Sequence, residues 1–211
     1  LWLVMDDIYH RLVFDGRRAP SPWGFTGRDI ERTKVVLVNG VAKTWGMTGF
    51  RIGWTVAPRE LVAVLTNIQS QTTTCSSTVL QAGAEAALNG DPAGVEALRR
   101  QMQEHRDLVL EGLAAIPGVR CARPDGTFYC LPDVSALERD SVRLCEFLLR
   151  KALVVTVPGR EFGMEGHLRI SYAGAREGLV EAMARLRWAL DPSSPAEIRI
   201  GERTCTRDWA R

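Results

Sequence analysis

The sequence lacks the cysteine and histidine patterns of a disulfide framework or a zinc site. Its five cysteines are odd in number and show no CxxC spacing. Its three histidines, His10, His105 and His167, lie far apart and match no metal-ligand spacing. We therefore expect free thiols, no metal, and a reducing compartment, which is the cytoplasm by default.

Long apolar runs and an excess of charge of one sign are also absent. No apolar stretch approaches the length of a membrane span, and no basic segment followed by an apolar one marks a signal peptide. The formal net charge is +2, with acidic and basic residues interspersed. We therefore expect neither a membrane nor a nucleic acid as a partner.

What is present is the composition of a folded globular protein, with 45% hydrophobic and 25% charged residues. There is no internal repeat, and the GxGxxG dinucleotide fingerprint does not occur. The chain begins at Leu1 with LWLVM, which has the composition of a buried strand. We expect from this that the sequence starts inside a domain of a longer protein.

Strands and helices are predicted to alternate along the first part of the chain. Four consecutive branched aliphatic residues begin the second strand, which is typical of a strand covered on both faces. Asn-Gly and Pro-Gly pairs stop the second and third helices. The predicted strands are residues 1–5, 35–41 and 52–57, and the predicted helices are residues 58–68, 79–88 and 91–117.

Shorter elements follow and predict a compact α+β unit. The predicted strands are residues 119–122, 128–131, 153–157 and 168–172, and the predicted helices are residues 140–152 and 176–190. The tail, residues 191–211, shows no amphipathic period and is predicted to be irregular.

Ionisable side chains follow two of the predicted strands. Asp6 comes directly after the first strand and Lys43 after the second, and in α/β folds ligands bind beyond the carboxyl ends of strands. Tyr9 lies three residues after Asp6, and Arg51 lies eight residues after Lys43. An arginine fork suits a phosphate group. A lysine amine, a carboxylate, a phenol and such an arginine are the set that pyridoxal phosphate requires.

Five motifs in order resemble the class I/II pyridoxal-phosphate-dependent aminotransferases, the aspartate aminotransferase family of fold type I. The resemblance covers residues 1–190, the later part of such an enzyme. The motifs are DDIYHRLVFDG at 6–16, NGVAKTWGMTGFRIGW at 39–54, DGTFY at 125–129, PGREFG at 158–163 and HLRISYAG at 167–174.

The resemblance implies a fold and a division of the chain. The fold is α/β: part of a large domain with a mixed, mostly parallel sheet, followed by a small α+β C-terminal domain. Residues 1–75 would end the large cofactor domain, 76–118 would form connecting helices, 119–190 the small domain, and 191–211 the tail. The resemblance also implies a homodimer, with an amino acid and a 2-oxo acid as substrates.

The same resemblance implies a role for five residues. Lys43 would bond to the cofactor aldehyde and move the substrate proton, and Asp6 would pair with the pyridine nitrogen. Tyr9 would donate to the 3′-oxygen of the cofactor, and Arg51 would hold its phosphate. Arg169 would bind the α-carboxylate of the substrate. The implied activity is ping-pong transamination.

Other interpretations stay open at this level. Taken singly, Asp6 is compatible with a helix cap and Tyr9 with a packed aromatic ring; the ordered motifs favour the cofactor roles. Tyr129 and Phe162 either line the substrate side or pack. The same residues also serve β-lyases and cyclising lyases, and related domains sense effectors in transcription regulators. Ala42 stands where many relatives have serine, and the phosphate-cradling motifs that precede DDIY in the family are absent. The amino donor is not predicted.

Overall fold

The computed structural model of the chain describes residues 1–26 and 29–208. They form two compact units, Leu1–Arg100 and Gln101–Arg211, each described by itself below. The first unit contains β1 (Leu3–Asp6), α1 (Trp23–Thr26), β2 (Val35–Gly40), β3 (Gly53–Val56), α2 (Arg59–Thr72), α3 (Thr78–Asn89) and the start of α4 (Ala93–Ala114). The second contains the rest of α4, β4 (Tyr129–Cys130), α5 (Ser141–Phe147), β5 (Val157–Pro158), β6 (Leu168–Ser171), α6 (Arg176–Leu190), β7 (Glu197–Ile200) and β8 (Arg203–Thr206).

The sheet of the first unit has the order β1-β2-β3 and is mixed, as predicted. β1 and β2 run parallel, whereas β2 and β3 run antiparallel. Val35 and Val36 of the central strand are buried, which agrees with the strand pattern of their sequence.

The stretch LWLVM was predicted to be a buried strand. The strand is present as β1, but the prediction that it is buried was wrong. Leu1, Trp2, Leu3 and Val4 each expose more than half of their surface. Their composition favours a strand, but burial depends on what packs against its faces, which these residues do not encode alone.

The helices α2 and α3 expose much of their apolar surface. α2 begins after Pro58, whose fixed φ suits a helix start, and it contains no buried residue. The exposed apolar side chains of the two helices are Val62, Val64, Leu65, Ile68, Val79 and Leu88. None of the helices in the described ranges combines the length and apolar composition needed to cross a bilayer.

The second unit has a small antiparallel sheet of order β4-β6-β5 beside α4, α5 and α6. The buried residues of α4 recur at helical spacing and form one face. They include His105, whose Nδ1 lies 3.0 Å from the carbonyl oxygen of Tyr172. This histidine is therefore a core residue.

Three predicted strands of this unit are shorter than expected, and the one predicted at 128–131 is reduced to the two residues of β4. Residues 119–122 contain only an isolated bridge between Arg120 and Asp133, and the strand predicted at 153–157 is reduced to β5. The helix predicted at residues 140–152 is α5 followed by a π-helical turn, Leu148–Ala152, which ends at Leu153 with a φ of 53°. Leu153, in the left-handed conformation, ends the helix and turns the chain, so the next strand begins only at Val157.

The tail predicted to be irregular instead forms an antiparallel hairpin of β7 and β8. Ile200 and Cys205 are buried while most of their neighbours are exposed. Alternation with a period of two is typical of a strand, and it leaves no helical period in the sequence. Trp188 Nε1 donates to the carbonyl of Pro195 at 3.0 Å, which anchors the segment before the hairpin. Residues 209–211 lie outside the described residues.

Candidate active site

Three of the predicted site residues lie at one edge of the first sheet. Asp6 ends β1, Lys43 follows the end of β2, and Arg51 precedes β3. Because β1 and β2 are parallel and β3 is antiparallel to them, these three positions belong to the same sheet edge. The strand directions therefore bring together residues that are up to 45 positions apart in sequence.

The turn after Asp6 is held to the sheet by hydrogen bonds. The Asp7 backbone N–H donates to the carbonyl of Val38 at 2.8 Å. The Ile8 N–H donates to Asp6 Oδ1 at 3.3 Å, and the Leu12 N–H donates to the carbonyl of Tyr9 at 2.8 Å. Tyr9 is half-buried in this turn. The carboxylate of Asp6 thus begins a fixed turn and remains exposed.

A residue that sequence reasoning missed joins this turn to the lysine loop. Thr44 is fully buried, and its hydroxyl donates to the carbonyl of Ile8 at 3.2 Å. It follows Lys43 directly in the sequence. Its short polar side chain gave no signal, because the partner carbonyl is 36 residues away. Thr44 holds the segments that carry Tyr9 and Lys43 against each other.

The loop that carries Lys43 is closed by backbone hydrogen bonds. The Met47 N–H donates to the Val41 carbonyl at 3.2 Å, and the Gly46 N–H donates to the Lys43 carbonyl at 3.1 Å. Gly46 has a φ of 66°, a conformation that glycine adopts without steric cost. Lys43 is half-buried here. The loop fixes its backbone while its long side chain extends from it.

Two glycines allow the strands to approach closely beside this loop. Gly40 and Gly53 face each other in the β2–β3 register. A Cβ on Gly40 would lie 2.8 Å from the carbonyl oxygen of Ile52, and one on Gly53 would lie 2.9 Å from that of Asn39. Both contacts are with backbone atoms, which cannot easily yield. The glycines of the motif therefore serve the packing of the sheet edge.

Arg51 has an unusual backbone conformation and an exposed side chain. Its φ is 54°, which is uncommon for a residue with a Cβ. Its Nη1 donates to the carbonyl of Thr48 at 3.1 Å. This bond uses one of the five guanidinium N–H donors, so the others remain for a ligand.

Asn39, near the end of β2, contacts a second set of side chains beside the sheet edge. The buried Asn39 accepts the Gly40 N–H at 2.7 Å through Oδ1, and its Nδ2 lies 3.1 Å from Nδ1 of His10. Burial raises the pKa of Asp7, while the nearby His10 opposes this rise. The spacing of His10 indicated no metal site, and its contact with Asn39 places it beside the strand that leads to Lys43.

Arg169 belongs to β6 of the second unit. Its guanidinium carbon lies 4.7 Å from the ring centroid of Tyr129 and 4.6 Å from that of Phe162. Arg169 is half-buried, and among the described residues it has no ion-pair partner. Tyr129 and Phe162, for which the sequence left two interpretations open, thus pack against the predicted carboxylate-binding residue.

The donor set of the first unit fits a phosphorylated pyridine aldehyde. It combines an amine, an exposed carboxylate, a phenol and an exposed guanidinium on two linked turns and one adjoining loop. A divalent metal would need a different set, and within the described ranges no three His, Cys, Asp or Glu residues are grouped to hold one.

Comparison with known proteins gives consistent matches over most of the chain. The profile of the family described as aminotransferase class I and II matches residues 1–186. The aspartate aminotransferase of Rhizobium meliloti strain 1021 is 39% identical over 202 residues, covering 90% of this chain and 48% of that protein. The aspartate/prephenate aminotransferase of Thermus thermophilus is 38% identical, covering 87% of this chain and 46% of that protein.

Solved structures give the same result. A crystal structure of the aspartate aminotransferase from Rhizobium meliloti has a TM-score of 0.82 at 37% identity, covering 88% of this chain and 48% of that one. A crystal structure of an aromatic aminotransferase from Pyrococcus horikoshii has a TM-score of 0.82 at 34% identity, covering 89% and 50%. The chain spans about half the length of the curated relatives that it matches.

Proposed function

The chain belongs to the aminotransferase class I and II family, and from this premise we propose that it serves a pyridoxal-phosphate-dependent transamination. The family and the fold type I architecture, both expected from the motifs, are confirmed by the matches. Pyridoxal phosphate is the cofactor of the aspartate aminotransferases of this family. The proposed reaction moves an amino group between an L-amino acid and a 2-oxo acid.

The observation that carries this proposal is the shared sheet edge of Asp6, Lys43 and Arg51. These residues supply an anion, an amine and a cation within one connected set of turns. The three groups match the three chemically distinct ends of pyridoxal phosphate: the ring nitrogen, the aldehyde and the phosphate. The buried Thr44 joins the turn after Asp6 to the loop of Lys43, so the groups are held in one arrangement.

In the proposed site each residue has a defined task. The Asp6 carboxylate binds the protonated ring nitrogen, and the Arg51 guanidinium donates to the phosphate. The Tyr9 hydroxyl donates to the ring 3′-oxygen. When bound, pyridoxal phosphate withdraws electrons from the substrate Cα, and Asp6 supports this by keeping the nitrogen protonated.

Lys43 is proposed to hold the cofactor and then to move a proton. When the cofactor is bound, the Lys43 amine would hold its aldehyde, and the amine would later accept the proton from the substrate Cα. A flexible side chain on a fixed backbone suits both tasks. The bonded loop from Val41 to Met47 supplies that fixed backbone.

Arg169 is proposed to bind the α-carboxylate of the amino acid. The guanidinium carbon of Arg169 lies over the aromatic rings of Tyr129 and Phe162. Contacts with ring faces use none of the guanidinium N–H donors, and a carboxylate binds such a group in bidentate geometry.

We propose a homodimer and a cytoplasmic location, and the exposed apolar side chains of α2 and α3 support the homodimer. Val62, Leu65 and Ile68 are exposed on α2, and Val79 and Leu88 are exposed on α3. An apolar surface of this kind is typical of a protein interface. Sedimentation of the protein would test this: a monomer at micromolar concentration would contradict the homodimer.

Reductive trapping tests the cofactor proposal directly. The sequence contains three lysines, Lys34, Lys43 and Lys151, so two internal controls are present. The purified protein is incubated with pyridoxal phosphate, reduced with borohydride and digested, and the labelled peptide is identified by mass spectrometry. We expect the label on Lys43 and its loss in Lys43→Arg.

Label on Lys34 and Lys151 to the same extent would reject Lys43 as the cofactor lysine, and so would the absence of label. Product analysis then separates the reaction types. Transamination forms a 2-oxo acid without ammonia from the donor, whereas β-elimination releases ammonia. Release of ammonia in step with the oxo acid would assign a lyase instead.

A further inference from the structure

Arg106 of α4 is a fully buried arginine. A guanidinium stays charged in a folded protein, so an arginine is rarely buried without partners. Its Nε donates to Asp107 Oδ1 at 2.9 Å, and its Nη1 donates to the carbonyl of Pro124 at 3.0 Å. The buried charge is therefore paired with a carboxylate and is also bonded to a distant segment of the chain.

The same segment is tied to α4 a second time. Arg123 Nη2 donates to Asp107 Oδ1 at 2.8 Å. Asp107 thus accepts from two arginines, one buried and one exposed. Arg123 and Pro124 are adjacent in the sequence. Two consecutive residues of α4 therefore hold two consecutive residues at the start of the turn that follows.

The preceding residue of α4 contacts the end of the strand that carries Arg169. His105 Nδ1 lies 3.0 Å from the carbonyl oxygen of Tyr172, the residue directly after β6. The Tyr172 N–H in turn donates to the carbonyl of Phe128 at 2.9 Å. The helix is thus connected to the end of the turn as well as to its start.

The turn itself, residues 124–128, contains an uncommon backbone conformation. Thr127 has a φ of 68°, which is an outlier for a β-branched residue. Its Oγ1 accepts the Tyr129 N–H at 3.2 Å. A conformation of this kind costs free energy and persists only where the surrounding contacts hold it. The bonds from α4 are contacts that can hold it.

Tyr129 follows this turn and is the first residue of β4. It pairs with Ser171 of β6, and Arg169 lies two residues before Ser171 on the same strand. Residues two apart on a strand share a face, so Arg169 is a diagonal neighbour of Tyr129. The distance of 4.7 Å between the guanidinium carbon and the ring centroid agrees with this register. The end of the turn therefore sets where the Tyr129 ring meets Arg169.

We propose that Arg106 and Asp107 are positioning residues of the site that binds the substrate carboxylate. Neither residue touches the substrate in this arrangement. They hold the turn at residues 124–128, and the turn fixes the Tyr129 ring beside Arg169. The inference rests on the carboxylate-binding role proposed above for Arg169.

The consequence of losing these bonds follows from the same geometry. Without them the turn relaxes from its strained conformation, and Tyr129 shifts. The Arg169 guanidinium is then no longer held in the orientation that a carboxylate needs for bidentate binding. Binding of the amino acid weakens, whereas the lysine loop of the first unit is unchanged.

Two variants and one control test the two ties. Arg106→Lys keeps the positive charge, but a single ammonium lacks the fork that reaches both Asp107 and Pro124. Arg123→Ala removes the second tie at an exposed position. Arg139→Ala, at another exposed position of the same unit, is the control.

Steady-state kinetics separate positioning from loss of folded protein. We expect the KM for the amino donor to rise about three- to tenfold in Arg106→Lys, with kcat within about twofold of the unmodified value. Arg123→Ala should show a smaller rise in KM, and Arg139→Ala none. Loss of folded protein would lower the apparent kcat at constant KM, and this result in Arg106→Lys would overturn the inference. If Arg106→Lys does not fold, the KM of Arg123→Ala decides, and an unchanged value would overturn it.

A second measurement requires no turnover. A proton over an aromatic face is shifted upfield, so the NMR resonance of the Arg169 side-chain N–H should lie upfield of those of the exposed arginines. Its absence from the spectrum of Arg169→Lys assigns it. The resonance should move toward the exposed arginines in Arg106→Lys and Arg123→Ala and stay in place in Arg139→Ala.

This resonance keeps the inference distinct from the proposed function. An unmodified protein that turns over no amino donor would contradict the proposed transamination, and the Arg169 resonance would still show whether the two ties position that side chain. A resonance that does not move in the folded Arg106→Lys and Arg123→Ala variants would overturn the inference, whatever the activity of the protein.

Discussion

The guanidinium of Arg169 lies over the ring of Tyr129, with 4.7 Å between the guanidinium carbon and the ring centroid. Phe162 lies at 4.6 Å from the same carbon. Contact with ring faces orients a guanidinium without consuming its N–H donors. The arrangement therefore supports the carboxylate-binding role proposed for Arg169, and it joins three separate motifs of the sequence.

Replacing Arg169 by lysine should weaken substrate binding while cofactor attachment is retained. Lysine keeps the charge but loses the bidentate fork. A loss of about 1.5–3 kcal/mol corresponds to a fall of about 10- to 160-fold in kcat/KM for the amino donor. Steady-state kinetics measure the change, and borohydride labelling of Lys43 should be unaltered. Arg160→Lys, at an exposed position of the same unit, is the control; equal kinetics for the two variants would reject the assigned role.

Gly40→Ala should destabilise the sheet edge that carries Lys43. The added Cβ would lie 2.8 Å from the backbone oxygen of Ile52, and overpacking of this kind costs about 1–3 kcal/mol. Gly49→Ala is the matched control, because its Cβ would have no neighbour within 4 Å. Urea denaturation gives the free energy of unfolding. Identical urea midpoints for the two variants would show that β2 and β3 accommodate the added Cβ without loss of stability.

Thr44→Val should uncouple the turn of Tyr9 from the loop of Lys43. The substitution removes the buried hydroxyl that donates to the Ile8 carbonyl and should cost about 1–3 kcal/mol, because that carbonyl loses a partner. We also expect less reductive labelling of Lys43 at limiting cofactor. Thr55→Val, at an exposed position of β3, should change neither quantity. Full labelling in Thr44→Val would mean that the link is not needed for the site.

Glu165 should contribute stability that disappears in acid. Hydrogen bonds from Ser141 lower the pKa of Glu165, and its Oε1 accepts the Ser141 N–H at 2.9 Å. A carboxylate whose pKa is lower in the folded state stabilises the protein above its unfolded pKa of about 4.3, and this contribution is lost as the pH falls through the folded pKa. Glu165→Gln should therefore lower the free energy of unfolding at pH 7 and match the unmodified protein in strong acid. A difference that is constant across the pH range would contradict this assignment.

Much of the first unit could be predicted from local patterns. The aliphatic run of β2 indicated a strand, and Pro58 indicated the start of α2. The placement of Asp6 and Lys43 at one sheet edge followed from the rule that ligands bind beyond strand ends. The tail was mispredicted, because β7 and β8 alternate over only four residues each and exposed polar side chains dominate their composition.

The sequence by itself determined the family, the fold class and the identity of the candidate site residues, because short motifs keep their residue types and order along the chain. Only the tertiary structure decided which surfaces are buried and which distant groups meet. The bond from Thr44 to Ile8 and the contact of Arg169 with Tyr129 each join segments separated in sequence. Such contacts depend on how elements pack, and no periodicity within one element encodes its partner.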